Sequence, residues 1–249
     1  MHSCGRGGGA TKRDKRMNQR RTMAIVLTRV DYGEADRILT VLTATEGKLS
    51  LIAKGVRKIK SKMAGGIELF SLCELTYIPP KSSLGTLVSA RLVRHFGMIT
   101  RRLERTMLGY ELIGLLHKVT EEVAEPAYYD LLEQTFFVLD DHTVSVEFIR
   151  LWFYAHLLRL AGHTPNLLRD VAGAKLVAEG RYRFDYDAVA FCVDTDGAFG
   201  VDEIKFLRLL FDVQTAQSAT AIAKITGAER LTSAVSPLVI TLRQLYLRS

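Results

Sequence analysis

The chain has 249 residues, 48% hydrophobic and 24% charged, with a formal net charge of +7. That balance belongs to a folded chain with a full core, and no apolar run approaches the roughly 18 residues that a membrane helix needs. Three cysteines, Cys4, Cys73 and Cys192, lie far apart in sequence, which excludes a disulfide framework and points to a reducing, cytoplasmic setting.

Residues 1–22 carry seven basic residues and one acid, three consecutive glycines (Gly7 to Gly9), and no Leu, Ile, Val or aromatic residue. Such a stretch buries too little apolar surface to offset its ordering entropy, so a disordered basic tail is expected. It reads either as an arm that adds non-specific affinity for nucleic acid or as an extension upstream of a start at Met17 or Met23.

Five strands are expected next. Met23 to Val30 is apolar and β-branched, and Asp31 to Asp36 is a turn by composition. Arg37 to Ala44 alternates, Glu46-Gly47 is a hairpin turn, and Lys48 to Lys54 forms the third strand. Ile67 to Ile78 and Leu84 to His95 follow, separated by a loop at Pro79 to Ser83. Five short antiparallel strands can close into a small barrel. An OB-fold, which binds oligonucleotides, is one such barrel, and an SH3-like barrel fits the same pattern.

Between the third and fourth strands lies a cationic run. Lys54, Arg57, Lys58, Lys60 and Lys62 fall within nine positions with no acid, and Gly55, Gly65 and Gly66 make the loop supple. With Arg37 nearby, these side chains are expected to contact phosphates. A solvated basic loop without a ligand is the plainer reading of such a run. Residues 23–100 hold eleven basic and six acidic residues and residues 101–249 hold sixteen and twenty, so the N-terminal half is the one expected to attract a polyanion. Aromatic residues are few here (Tyr32, Phe70, Tyr77 and Phe96), so binding should be dominated by charge, insensitive to base sequence and strongly salt-dependent.

Four blocks in this region occur together: Asp31-Tyr32-Gly33-Glu34-Ala35-Asp36-Arg37-Ile38-Leu39, Glu46-Gly47-Lys48-Leu49, Ala53-Lys54-Gly55-Val56-Arg57-Lys58 and Glu68-Leu69-Phe70-Ser71. In order and spacing they closely resemble the RecO family of DNA-repair recombination mediators. The resemblance implies an N-terminal OB-fold, binding of single- and double-stranded DNA, strand annealing, and help in loading recombinase onto DNA coated by single-strand-binding protein. It implies RecR and the acidic C-terminal tail of single-strand-binding protein as partners, and no enzymatic activity.

The remainder reads as helical. Thr100 to Val123 has Leu103, Met107 and Tyr110 at helical spacing. Pro126 opens a second helix through Leu139. Thr143 to Ala161 is apolar nearly all round, with Trp152 and His156 in its core, and stops at Gly162. Val201 to Val213, Ala219 to Ile225 and Ser233 to Leu247 close the chain. A groove among these helices is where the resemblance puts the acidic tail. Such a groove needs an apolar floor and a basic rim, with Arg150, Arg159 and Arg208 as candidates.

Between these helices, residues 162–200 occupy the place where the RecO family often carries two Cys-x-x-Cys pairs in a zinc ribbon. Asn166-Leu167-Leu168-Arg169 matches the run into the first pair, but Asp170 and Gly173 stand at its cysteine positions, and Cys192 and Thr195 at the second. A structural zinc needs four ligands. Even with His163 the set falls short, so a degenerate, metal-free ribbon lobe is expected, held by Tyr182, Phe184, Tyr186 and Phe191. Asp194 to Gly197 reads as a turn rather than a calcium loop. No phosphate-binding loop, nucleophile elbow or His-Glu-x-x-His motif is present, and no cofactor is expected.

The reading is therefore an α+β multidomain chain. A disordered tail at 1–22 precedes an OB-fold β-barrel at 23–98, and a helical domain at 99–249 contains the ribbon lobe. A cytoplasmic, nucleoid-associated DNA repair protein is expected. An RNA-binding translation or ribosome factor with an OB-fold, and a protein adaptor that no longer binds DNA, are the alternatives.

Overall fold

The structure is a computed structural model of the chain and describes residues 18–58, 63–80, 83–120 and 125–247. The chain divides into two units, one running to His95 and the other from Phe96 onward.

In the first unit, β1 (Arg20–Tyr32), β2 (Asp36–Thr43), β3 (Gly47–Ala53), β4 (Ser71–Ile78) and β5 (Gly85–His95) form a closed barrel in the order β1-β2-β3-β5-β4. The barrel fits an OB-fold. Two hairpins build its first three strands, and Gly33 and Gly47, at φ 59° and 68°, take the left-handed conformations their turns require. Alternation then sends Val26, Leu39, Val41, Leu51, Leu75 and Tyr77 inward, all at most 3% exposed. The barrel closes through a narrow seam. β3 and β5 run parallel there and pair only at Leu51↔Gly85 and Ile52↔Thr86. A Cβ at Gly85 would lie 2.8 Å from the Leu51 side chain and 2.9 Å from the Ile78 carbonyl oxygen, so the seam has room for glycine alone.

Two strand boundaries differ from expectation. β1 begins at Arg20, because Arg20, Arg21 and Thr22 pair with Tyr77, Thr76 and Leu75 of β4. The end of the expected tail is therefore sheet, while residues 1–17 lie outside the described residues. Ala64–Ile67 is a short 3-10 turn rather than the start of the fourth strand. Ile67 is buried in the barrel core, and Gly66 meets the Ala90 backbone so closely that a Cβ would sit 2.7 Å from it. This turn carries Ile67 into the barrel core.

The second unit has seven helices among the described residues: α1 (Gly97–Thr100), α2 (Leu103–Val119), α3 (Pro126–Asp140), α4 (Val146–Leu160), α5 (Val201–Asp212), α6 (Ala216–Ala223) and α7 (Ala228–Tyr246). Ser145 caps α4 by accepting from the Phe148 amide at 3.2 Å. Ten residues of α4 are buried, and it packs against α2, α3, α5 and α7 as the central helix. Trp152 is fully buried and donates Nε1–H to the Val213 carbonyl at 2.7 Å. Arg105 is also buried, its guanidinium donating to the Leu139 and Val144 carbonyls at 2.8 and 2.5 Å. It satisfies backbone groups at the end of α3 and ahead of α4 that would otherwise be orphaned.

On α2 the stripe at Leu103, Met107 and Tyr110 faces solvent, and a second stripe faces the core. Leu103, Met107 and Tyr110 are 78%, 63% and 51% exposed, and the buried stripe is Leu108, Leu112, Leu115 and Leu116. The helix is apolar on two sides, so periodicity alone could not say which side faces the core. The final helix also starts earlier than expected, at Ala228, just after Gly227 at φ 81°.

Between α4 and α5, β6 (Asn166–Asp170), β7 (Tyr182–Asp185) and β8 (Ala190–Val193) form a small sheet ordered β6-β8-β7. Phe191 is its hub, with Phe184, Phe199 and Tyr182 edge-on to it at 5.1, 5.4 and 6.2 Å, and Tyr186 against Phe184 at 5.2 Å.

Candidate nucleic-acid interface

The cationic run leaves β3 at Ala53, and its first half is fixed rather than supple. Val56 is 3% exposed and belongs to the barrel core, so it anchors the turn from within. Gly55 adopts φ 67°, and its amide donates to Asp36 Oδ1 at 2.7 Å. The Arg57 amide donates to the Ala35 carbonyl at 3.0 Å, and Arg57 Nη1 to the Gly33 carbonyl at 3.2 Å. The cationic turn is thus stitched to the β1–β2 turn, and three cationic side chains, Lys54, Arg57 and Lys58, stand exposed on a rigid base. Lys60 and Lys62 lie outside the described residues.

The cations of this surface are not equivalent. Arg37, on β2, donates Nε–H to Asp31 Oδ1 at 2.8 Å, and Arg57 Nε lies 3.5 Å from Asp31 Oδ2. One carboxylate therefore clasps both guanidinium groups. The hydrogen bond from Arg37 holds the Asp31 carboxyl below its ordinary range, with the nearby Arg57 charge acting in the same direction. Lys54 and Lys58 have no ion-pair partner among the described residues. Elsewhere on the barrel, Arg20 faces Glu46, Arg21 and Arg91 face Glu74, and Arg29 faces Glu68. The lysines were legible in the sequence. The role of Asp31 was not, because it depends on cross-strand pairing of Asp31 with Arg37.

The three arginines considered for a partner groove are not brought together. Arg150 is paired with Glu111 at 3.3 Å in a broad depression whose other charged residues are Glu104 and Glu147. Arg159 lines a cavity of about 80 Å³ with His156, Asp130 and Gln214. Arg208 donates Nε–H to the Leu167 carbonyl at 2.8 Å and edges a third depression with Lys205, over Leu176, Val177, Val201 and Ile204. Of the three, only this last combines an apolar floor with two cations and no acid.

The residues at the expected zinc positions do not fit a metal. Asp170 spends Oδ1 on the Ala172 and Ala174 amides at 3.0 and 2.8 Å, Gly173 has no donor side chain, and Thr195 is exposed. Cys192 Sγ approaches Asp185 Oδ2 at 3.9 Å, and His163 stacks on Tyr246 with ring centres 4.4 Å apart. No group of three His, Cys, Asp or Glu among the described residues could hold a metal ion. No helix among them is long and apolar enough to cross a membrane.

Two family models match the chain: Recombination protein O N terminal over residues 17–96, and Recombination protein O C terminal over residues 101–218. Among curated relatives, DNA repair protein RecO of Dehalococcoides mccartyi is 33% identical over 198 residues, covering 76% of this chain and 77% of that protein. DNA repair protein RecO of Rhodopirellula baltica is 32% identical, covering 67% of this chain and 62% of that protein. The RecO of a Roseiflexus species is 29% identical over 236 residues, covering 92% and 80%.

Proposed function

The chain belongs to the RecO family, and from that premise we propose that it is a DNA repair and recombination protein without catalytic activity of its own. It binds single- and double-stranded DNA without reading sequence, anneals complementary strands and helps load recombinase onto DNA coated by single-strand-binding protein. The observation that carries this reading is the rigid turn presenting Lys54, Arg57 and Lys58 beside the β1–β2 turn of a barrel. Fixed cations neutralise phosphate repulsion between two strands without selecting bases, which is the physical requirement of annealing. Lys60, Lys62 and Arg37 extend the same surface in this reading.

The partner assignments are proposals of the same kind. An acidic tail ending in an apolar residue suits the depression edged by Lys205 and Arg208 better than the carboxylate-lined one at Arg150. A RecR-type protein is the second partner. A cytoplasmic site of action at the nucleoid follows from the DNA-binding role.

Strand annealing by the full chain, with and without single-strand-binding protein, tests the reading. Acceleration of annealing is expected, with salt-sensitive binding to both DNA forms. Replacing Lys54, Arg57 and Lys58 together by Glu should weaken binding to all sequences alike. The single-strand salt slope should shrink by about 0.7 for each phosphate no longer neutralised. No annealing, or triple-variant binding equal to that of the parent at low salt, would refute it.

A further inference from the structure

The helical unit keeps one apolar stripe in water. Leu103, Met107 and Tyr110 stand at i, i+4 and i+7 on α2, all more than half exposed, while a second stripe of the same helix fills the core. Met107 and Tyr110, with Leu108 and Val146, line a depression of about 690 Å³ beside the start of α4. Its charged residues are Glu104, Glu111, Glu147 and Arg150, three carboxylates to one cation. Arg150 is spent on Glu111, which also accepts from the Tyr154 hydroxyl, so that part of the rim is held in place. Glu104 and Glu147 are exposed and have no ion-pair partner among the described residues. Arg101 and Arg102, the cations next in sequence, precede α2 and do not line the depression. In a chain of net charge +7, this is an apolar floor with an acidic rim. Exposed apolar residues framed by charge mark interaction sites.

The charges select the occupant. Nucleic acid and an acidic peptide are both repelled by the unpaired carboxylates. A second copy docked about a two-fold axis would set the same carboxylates against their own equivalents, which is destabilising. The chain's own basic residues 1–22 carry no Leu, Ile, Val or aromatic side chain with which to fill the floor. A partner segment that is both apolar and basic meets every condition. The rise of a helix spreads an i, i+4, i+7 stripe over about 10 Å, two turns of a helix laid against it. We propose that this face takes a basic amphipathic helix of a partner protein. Its apolar stripe packs on Leu103, Met107 and Tyr110, and its Lys or Arg residues meet Glu104 and Glu147. This interaction is independent of the DNA-binding reading, whose cations lie on the barrel.

The test uses the full chain without DNA and a labelled helical peptide of about 18 residues, five turns, with leucines in one stripe and lysines on both flanks. One control peptide keeps the leucines and carries glutamates on the flanks. A second keeps the composition and scrambles the stripe. Anisotropy should show saturable binding of the lysine peptide and neither control. Glu104→Gln combined with Glu147→Gln should weaken that binding by up to about thirtyfold, as loss of two exposed ion pairs allows, and flatten its salt dependence. Met107→Ala combined with Tyr110→Ala should weaken it by about tenfold with the salt dependence kept. All four side chains are exposed, so the variants should melt with the parent. If the alanine pair melts lower, the glutamine pair, which removes no apolar surface, decides. Equal binding of the lysine peptide and either control, or parent-like affinity in the glutamine pair, would overturn the inference. So would sedimentation in which the parent is a dimer and the alanine pair a monomer, which would give the face to a second copy.

Discussion

Asp31 sets how much of the cationic surface is available. Its carboxylate is shared by Arg37 and Arg57, so a phosphate approaching either arginine competes with an existing charge-assisted bond. Asp31→Asn removes the competitor and keeps the shape. DNA affinity is expected to rise and the salt slope to steepen, by up to about 0.7 for each arginine released; anisotropy titrations at several salt concentrations will show it. A second residue-scale prediction concerns His156. It is 2% exposed, and burial pushes its pKa from the ordinary 6.5 down to about 4, with the Arg159 charge adding to the shift. The folded state keeps the ring neutral, whereas the unfolded chain protonates it near the ordinary value. The stability associated with the neutral ring is therefore fully present above pH 6.5 and is lost as pH falls toward 4. The melting temperature of the parent should fall more steeply across that window than that of His156→Gln.

At the level of elements, α2 offers the clearest contrast. Leu112 is fully buried while Leu103 is 78% exposed. Leu112→Ala should cost about 2–5 kcal/mol, as deletion of a buried leucine does. Leu103→Ala should change stability by less than about 0.5 kcal/mol, the range of surface substitutions. Denaturant melts of the two variants would resolve the difference. The same helix explains where sequence reading stops. Strands were legible where turn chemistry bracketed them, as Glu46-Gly47 brackets β2 and β3. The central helix α4 was legible because it is apolar all round and needs no choice of face. α2 has apolar stripes on two faces, and only the packed neighbour selects between them. The turn at Ala64–Ile67 was hidden for a similar reason: its apolar residues continue the pattern of the next strand, and the signal for a break lies in the close fit of Gly66 against Ala90, far along the chain. At the candidate site, Lys54, Arg57 and Lys58 could be named from composition, but the anchoring by Val56 and the clasp by Asp31 are tertiary facts.

On the scale of the whole molecule, the lobe between α4 and α5 gathers no group of three His, Cys, Asp or Glu among its described residues that could hold a metal ion. Its sheet is held by the Phe191 cluster, and Asp170 organises its turn through backbone amides. Elemental analysis of the purified chain should find well below one zinc per molecule, and a chelator should leave the melting temperature unchanged, whereas a structural zinc would couple metal loss to unfolding. The seam between β3 and β5 has a consequence of a different kind. Two parallel residue pairs join segments of the chain that are separated by the whole of β4, whereas β1 and β2 share eight pairs across a tight hairpin. Joining distant segments costs loop-closure entropy that so short a ladder hardly repays, so this junction should form late in folding and open first by local fluctuation. In deuterated buffer the Thr86 amide should exchange well before those of Val41 and Leu39, and Gly85→Ala, by crowding Leu51, should accelerate that exchange before it lowers global stability. A barrel that breathes at one junction keeps its first hairpins, and with them the cationic turn, in register while β5 stays paired with β4 and parts only from β3.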